Sequence, residues 1–333
     1  MVLYYLIMEN KGKILLSGLK PSGMPHIGNY FGMMKQIVDL QNDYEESLVF
    51  IADYHALNTV QDREEMRKNV FEVALDYLTV GLDPKKVTIF KQSDIPQHAE
   101  LSLIFNTITT MPYLMRAHAF KDAEAKNKEI NVGTFTYPML MAADILMYDA
   151  DVVPVGQDQK QHIEIARDTA EKFNRVFGEE FKLPEAKILE NVATVPGIDG
   201  QKMSKSYNNT IPLFAEDDEI EKAVMSIVTD SKSPEESKNP EEDNVFALHK
   251  LFSENQIQEI EKRYKEGGMG YKESKEILIE NIKKFIGPLR EKRKELEKDR
   301  DNIIKMLKEN GEKMRERAEE KMKKVREKIG VNL

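Results

Sequence analysis

KILLSGLKPSGMPHIGNYFG, residues 13–32, is an apolar run that breaks into a turn rich in glycine and proline and resumes with helical spacing. Its first six residues read as a strand, and Ile27, Phe31, Met34 and Val38 recur as one face of a helix. A strand that passes into a helix through such a turn leaves unpaired backbone N–H groups and the positive end of the helix dipole together, a place suited to an anion. Gly23 and Gly28 put no side chain between the backbone and a ligand, and His26 and Asn29 add neutral donors suited to phosphate oxygens.

Outward from this turn, strand-like runs recur at SLVFIAD (47–53), VTIFKQ (87–92) and DVVPV (151–155). Helical patterns lie between them, with Met66, Val70, Val73, Tyr77 and Leu78 on one face of 64–80 and His162, Ile163, Ala166, Ala170 and Phe173 on one face of 159–177. Such alternation predicts an α/β fold whose parallel sheet is covered on both faces and binds ligands beyond the carboxyl ends of its strands. Residues of about 97–150 interrupt it as a helical insertion. After Pro212 only helical stretches follow, near 216–229, 254–265, 272–298 and 301–328, with SKSPEESKNPEEDN as a polar loop. The expected division is 1–212 for the sheet domain and 213–333 for an all-helical C-terminal domain, the last helix packing back on the first domain.

The 333 residues suit two domains. Cysteine is absent, which excludes disulfides, thiolate nucleophiles and cysteine-ligated metal centres and fits a reducing cytosol. The opening MVLYYLIMEN has an apolar run far short of the roughly 20 residues that span a bilayer, and reads as a frayed extension or as an upstream start ahead of Met8. Net charge is −9, yet residues 281–333 hold 18 Lys and Arg against 11 Asp and Glu. A phosphate backbone could be met at that end, although a charge run on a long helix is commonly a solvated face.

A second polar loop, GIDGQKMSKSYNN (197–209), carries Lys202 and Lys205 three apart, after two glycines expected to let it move. Two cations so placed suit a leaving group whose charge builds up in the transition state. Taken together, PHIGN (25–29) and KMSKS (202–206) resemble the HIGH and KMSKS motifs of the class I aminoacyl-tRNA synthetases. The resemblance implies a Rossmann-like catalytic domain and an anticodon-binding helical domain. It also implies attack of an amino-acid carboxylate on the α-phosphate of ATP, with Mg²⁺ accompanying the nucleotide and no dedicated protein metal site. His26, Asn29, Lys202 and Lys205 are the expected catalytic residues. The expected ATP contacts are Lys20, Pro21, Ser22, Gly28 and Asn29, then Gly156, Gln157, Asp158 and Val195, then Lys202, Met203, Ser204, Lys205 and Ser206.

TYPMLMAADILMY (136–148) places Tyr137, Met141, Asp144 and Tyr148 on one helical face. An acid among large apolar groups needs a donor, and an indole N–H would serve. Together with DVVPVGQDQKQH (151–162), this passage resembles the tryptophanyl branch of the family, the resemblance running from Leu15 to about Val331. It implies L-tryptophan and tRNA(Trp) as substrates, a cytoplasmic enzyme with no membrane partner, and a homodimer joined near 97–135. Asp144 would accept the indole N–H, with Met141, Val153 and Val155 around the ring, Tyr137 and Gln159 at the ammonium, and His55 nearby. Asn29 in place of the closing histidine of HIGH, Lys20 in place of glutamine, Gln157 in place of glutamate and Leu16 in place of an aromatic residue depart from the usual pattern.

Overall fold

The computed structural model describes residues 10, 12–125, 130–188 and 195–332, so the alternative starts at Met1 and Met8 lie outside it. By packing, the chain forms two units, the first comprising residues 1–23, 37–190 and 299–333 and the second 24–36 and 191–298. This grouping differs from a single cut at residue 212.

The first unit holds five parallel strands: β1 Ile14–Leu19, β2 Glu46–Ile51, β3 Val87–Lys91, β4 Val152–Val155 and β5 Glu185–Ile188, in the order β3-β2-β1-β4-β5. The first four fall on the apolar runs of the sequence, because strands covered on both faces carry continuous hydrophobic side chains. Leu16 pairs with Leu48, and Val49 with Ile89, so the centre of the sheet is aliphatic. Phe50 lies across Gly18, where a Cβ would come within 2.7 Å of the ring, and only glycine fits there. The edge strand β5 escaped the sequence reading because it is four residues long and mostly half-exposed.

Strand order reverses between β1 and β4. These strands share the single register pair Leu15↔Val152 and are tied at their amino ends, where Ile14 N–H donates to Asp151 Oδ2 at 2.9 Å. The pairing has ended before Pro154, which has no N–H to contribute. A parallel sheet offers its ligand crevice beyond the carboxyl ends at such a reversal.

Four helices of this unit follow the sheet strands or form the insertion: α1 Arg63–Val80, α2 Gln97–Ile108, α3 Val132–Leu146 and α4 Lys160–Phe177. Asp62 caps α1 by accepting from Glu65 N–H at 2.8 Å, and Gly81, at φ 114°, ends it. Asn131 caps α3 in the same manner.

The second unit is helical, with α5 Asp217–Met225, α6 Asn244–Phe252, α7 Ile257–Glu266 and α8 Tyr271–Lys298. Helix α6 was hidden in the sequence behind the polar loop, although its cap, Asp243 accepting from Phe246 N–H at 2.7 Å, stands at the end of that loop. The buried Lys275 ammonium donates to the carbonyl of Met225, which ends α5, and to that of Ile227 just beyond it, satisfying acceptors that the helix leaves over. Tyr30 and Phe31 join Phe252 and Phe285 in one aromatic cluster. A π-helical turn over Tyr30–Met34 shifts the helical phase, so of the 27, 31, 34, 38 face expected from the sequence Ile27 and Met34 are buried, while Ile37 and Leu40 take the buried place expected of Val38.

Helix α9, Arg300–Ile329, packs within the first unit. Its cations divide between a solvated set, with Lys305, Lys308, Lys313, Lys323 and Lys324 exposed, and a set that meets partners in the first unit. Arg317 meets Glu46 at 2.7 Å, Lys321 meets Asp149 at 2.7 Å, Arg326 holds Glu100 and Glu319, and Arg315 donates to the Asp94 carbonyl. Part of the basic charge of this end is therefore used inside the protein. Gly311 lets α9 approach closely, since a Cβ there would lie 2.8 Å from Asp94 Oδ2. Gly311→Ala is expected to lower the unfolding free energy by about 1–3 kcal/mol through overpacking. Chemical denaturation at constant m-value measures it, and an unchanged midpoint would show that Asp94 yields without cost.

Candidate functional site

In the second unit, the two polar loops quoted above meet. His26 pairs with Pro212 across an antiparallel bridge, with Ile27 N–H donating to Ile211 at 3.0 Å and Leu213 N–H donating to Pro25 at 2.9 Å. Across from them, a Cβ on Gly28 would lie 2.9 Å from His26 Nδ1 and 3.3 Å from Met203 Cβ. Glycine at 28 thus keeps open a small space bounded by an imidazole and by the buried methionine of KMSKS.

His26 is buried, and its Nδ1 has no hydrogen-bond partner. Burial pushes its pKa down to about 4, with the nearby Lys205 charge adding to the effect. The ring is therefore neutral at physiological pH, with an unsatisfied polar atom beside the opening at Gly28. Asn29 Oδ1 accepts from the His26 backbone N–H at 3.0 Å, which leaves the amide nitrogen of Asn29 as a donor.

The 195–209 loop is knitted by Asn209, a residue to which the sequence reading gave no role. Its buried carboxamide donates to Asp199 at 2.7 Å and to the Lys202 carbonyl at 3.2 Å, and accepts from Ser204 N–H at 2.7 Å. Met203 N–H closes the loop onto the Val195 carbonyl at 2.9 Å. A Cβ on Gly197 would fall 2.3 Å from Asn209 Nδ2. Gly197 thus makes room for a fixed side chain, contrary to the expectation that it loosens the loop. Lys202, Lys205 and Ser206 are exposed, and Ser204 and Ser206 join their hydroxyls at 2.9 Å.

In the first unit, Asp144 is completely buried on α3. It was expected to want a donor, and the protein already supplies three. Gln92 Nε2 donates to both carboxylate oxygens at 2.8 and 2.9 Å, His55 Nε2 meets Oδ2 at 2.9 Å, and His98 Nδ1 meets Oδ1. Burial alone would raise the pKa of this carboxyl, but His98 and His55 outweigh it and hold it below the usual carboxylate range. Tyr148 hydroxyl and His98 Nε2 lie 2.6 Å apart. Gln92 also accepts from the Tyr54 and His55 backbone N–H groups, which fixes the turn after β2. Sequence reasoning missed Gln92 and His98, because only the order of strands brings them to Asp144.

The His55 ring stands edge-on to Tyr137, whose hydroxyl bonds His162 Nε2 at 2.9 Å. Met141, Val153 and Val155 share the apolar core of this unit. Lys20, Pro21 and Ser22 follow β1, and Gly156, Gln157 and Gln159 follow β4, so these segments flank the strand reversal at its carboxyl side. The side chain of Asp158 lies outside the described residues.

Residues 8–287 match the family model for class I tRNA synthetases (W and Y). The chain belongs to that family. It is 51% identical over 318 residues to the tryptophan–tRNA ligase of Fusobacterium nucleatum, covering 95% of this chain and 97% of that protein. The tryptophan–tRNA ligase of Rhodopirellula baltica is 49% identical over the same length, covering 95% of this chain and 99% of that protein. The crystal structure of tryptophanyl-tRNA synthetase from Campylobacter jejuni complexed with ADP and tryptophan superposes with a TM-score of 0.88 at 46% identity, covering 95% of this chain and 99% of that one.

Proposed function

We propose that this protein uses ATP to activate L-tryptophan as tryptophanyl-adenylate and then transfers the tryptophan to tRNA(Trp) for protein synthesis. The observation that carries the reading is the meeting of His26, Gly28, Met203 and Lys205, with a buried, unpartnered imidazole nitrogen beside a space that a Cβ would fill. Such a cradle fits a nucleoside triphosphate, which arrives as its Mg²⁺ complex. The tryptophan carboxylate oxygen attacks the α-phosphorus, a new O–P bond forms, and the bond to the bridging oxygen breaks with release of pyrophosphate. Neutral His26 and the amide of Asn29 donate to phosphate oxygens, and Lys202 and Lys205 stabilise charge as it moves to the leaving group. Ser204 and Ser206 flank those cations. Lys20, Pro21, Ser22, Gly156, Gln157, Asp158 and Val195 take the remainder of the nucleotide.

On the amino-acid side, Asp144 reads the indole N–H. A carboxylate offers about four acceptor positions, and Gln92, His98 and His55 fill them here. His55 is the donor that gives way, being the only one of the three with an accessible side chain, 14% exposed against none for Gln92 or His98. Met141, Val153 and Val155 line the ring, and Tyr137 and Gln159 meet the ammonium. The helices of 213–298 form the anticodon-facing part, since α9 is committed to the first unit. A homodimer is supported by exposed Leu103, Met111, Met115 and Val132 in the insertion, which a second copy would cover. A cytoplasmic location accords with this role, and among the described residues no helix is long and apolar enough to cross a membrane.

Amino-acid-dependent ATP–pyrophosphate exchange tests the reading. Tryptophan is expected to drive exchange, with phenylalanine at least about 10⁴-fold less efficient, because that ring displaces His55 without giving Asp144 a donor in return. Tyrosine, whose hydroxyl can donate, is disfavoured by the shape of the pocket as well. Exchange driven by tyrosine, or none with any amino acid, would overturn it.

A further inference from the structure

We infer that His98 is a positioning residue which keeps the Asp144 carboxylate ionised and aimed, and that Tyr148 and Arg317 hold it to this task. The inference rests on the reading of Asp144 as the indole acceptor. Asp144, His98 and Tyr148 form an unbroken buried line, with His98 Nδ1 on Asp144 Oδ1 and His98 Nε2 on the Tyr148 hydroxyl at 2.6 Å. A hydroxyl donating to Nε2 leaves the ring proton on Nδ1, so the imidazole presents a donor to the carboxylate. Tyr148 is fixed in turn: Arg317 of α9 donates to its carbonyl at 3.0 Å and lies 5.8 Å from its ring centre. The next residue, Asp149, sits at a left-handed φ of 55° and is gripped by Lys321 at 2.7 Å.

The groups around Asp144 are His98 from α2, His55 from the turn after β2, Gln92 from the end of β3, and Tyr148 beyond its own helix, with Arg317 behind Tyr148. Of the two imidazoles only His98 is closed to solvent, so a ligand that displaces His55 leaves it as the one imidazole donor on Asp144. Apolar side chains of similar volume would fill the same space at no cost in stability, and commonly at a gain. Retention of an ionised carboxylate in this interior is accounted for by its use in recognising a donor on the substrate.

The test compares tryptophan with β-(3-benzothienyl)alanine, which replaces the indole N–H by sulfur at nearly the same shape. Pyrophosphate exchange is measured for the full chain and for His98→Leu, His98→Asn, Tyr148→Phe and Asp144→Ala. The ratio of kcat/KM for tryptophan over the sulfur analogue is expected to fall about tenfold in His98→Leu and about threefold in Tyr148→Phe. His98→Asn, which retains a short donor, restores part of the ratio. The change lies in the KM for tryptophan, not in kcat or the KM for ATP. In His98→Leu the KM for tryptophan also rises as pH falls, because a buried carboxyl that has lost a hydrogen-bond donor to its ionised form takes up a proton more readily.

Equal losses for both substrates would reduce His98 to a packing role and overturn the inference. So would an unchanged ratio in His98→Leu or, if that variant does not fold, in Tyr148→Phe, provided Asp144→Ala loses the discrimination. A ratio unchanged in Asp144→Ala as well would instead sink the assignment of Asp144 on which this rests.

Discussion

Lys205→Ala is expected to slow tryptophanyl-adenylate formation about 10²- to 10³-fold, the usual effect of deleting one preorganised group that meets charge in the transition state. Tryptophan affinity is expected to change by less than about twofold, because the ammonium acts on charge that appears only as pyrophosphate departs. Single-turnover adenylate formation and equilibrium binding separate the two quantities, and equal losses in both would contradict the role. A second readout follows from the electrostatics. The Lys205 charge helps to depress the His26 pKa, burial being the larger cause. Without it the imidazole takes up a proton at higher pH, so the acid limb of the pH–rate profile shifts upward while staying below that of an ordinary histidine.

Asp144→Ala is the other large effect. Tryptophan is expected to lose about 10²-fold or more in kcat/KM, since a charge-assisted hydrogen bond is removed and the indole N–H is left desolvated. ATP affinity is expected to stay within about twofold of the unmodified protein, as the nucleotide motifs lie elsewhere in the chain. The substitution also strands His98, Gln92 and His55 around an empty carboxylate position, so unfolding free energy is expected to fall by about 3–5 kcal/mol. Asp144→Asn, which keeps one acceptor oxygen, separates the loss of recognition from the loss of fold. An unchanged tryptophan affinity in either variant would mean that a different group reads the indole.

How much of this could be read from the amino-acid order depends on the range of the forces involved. The strands β1 to β4 and the long helices announce themselves, because burial on one face or two imposes a short-range period. The signal fails where an element is short and at an edge, as in β5, or where a cap stands at the end of a polar run, as Asp243 does. The two loops proposed to hold phosphate stood out because glycine, histidine and lysine at those spacings have few other uses. Asp144 was legible as a buried acid in search of a partner. Its actual partners were not, since Gln92 and His98 are brought to it from another strand and another helix by the winding of the sheet. Asn209 stood inside the quoted loop, but an asparagine that organises its own loop looks like any turn residue until its hydrogen bonds are counted. The ion pairs of Arg317, Lys321 and Arg326 were hidden for the same reason: a row of cations does not reveal which acids elsewhere in the chain it will meet.

The grip of α9 on Glu46, Asp149 and Glu180 sets an order of events during synthesis. The segment that completes the first unit leaves the ribosome only after the whole of the second, so the sheet must wait, partly uncovered, while its neighbour is already able to fold. Premature termination within α9 therefore damages the oldest part of the nascent chain, not merely its tail.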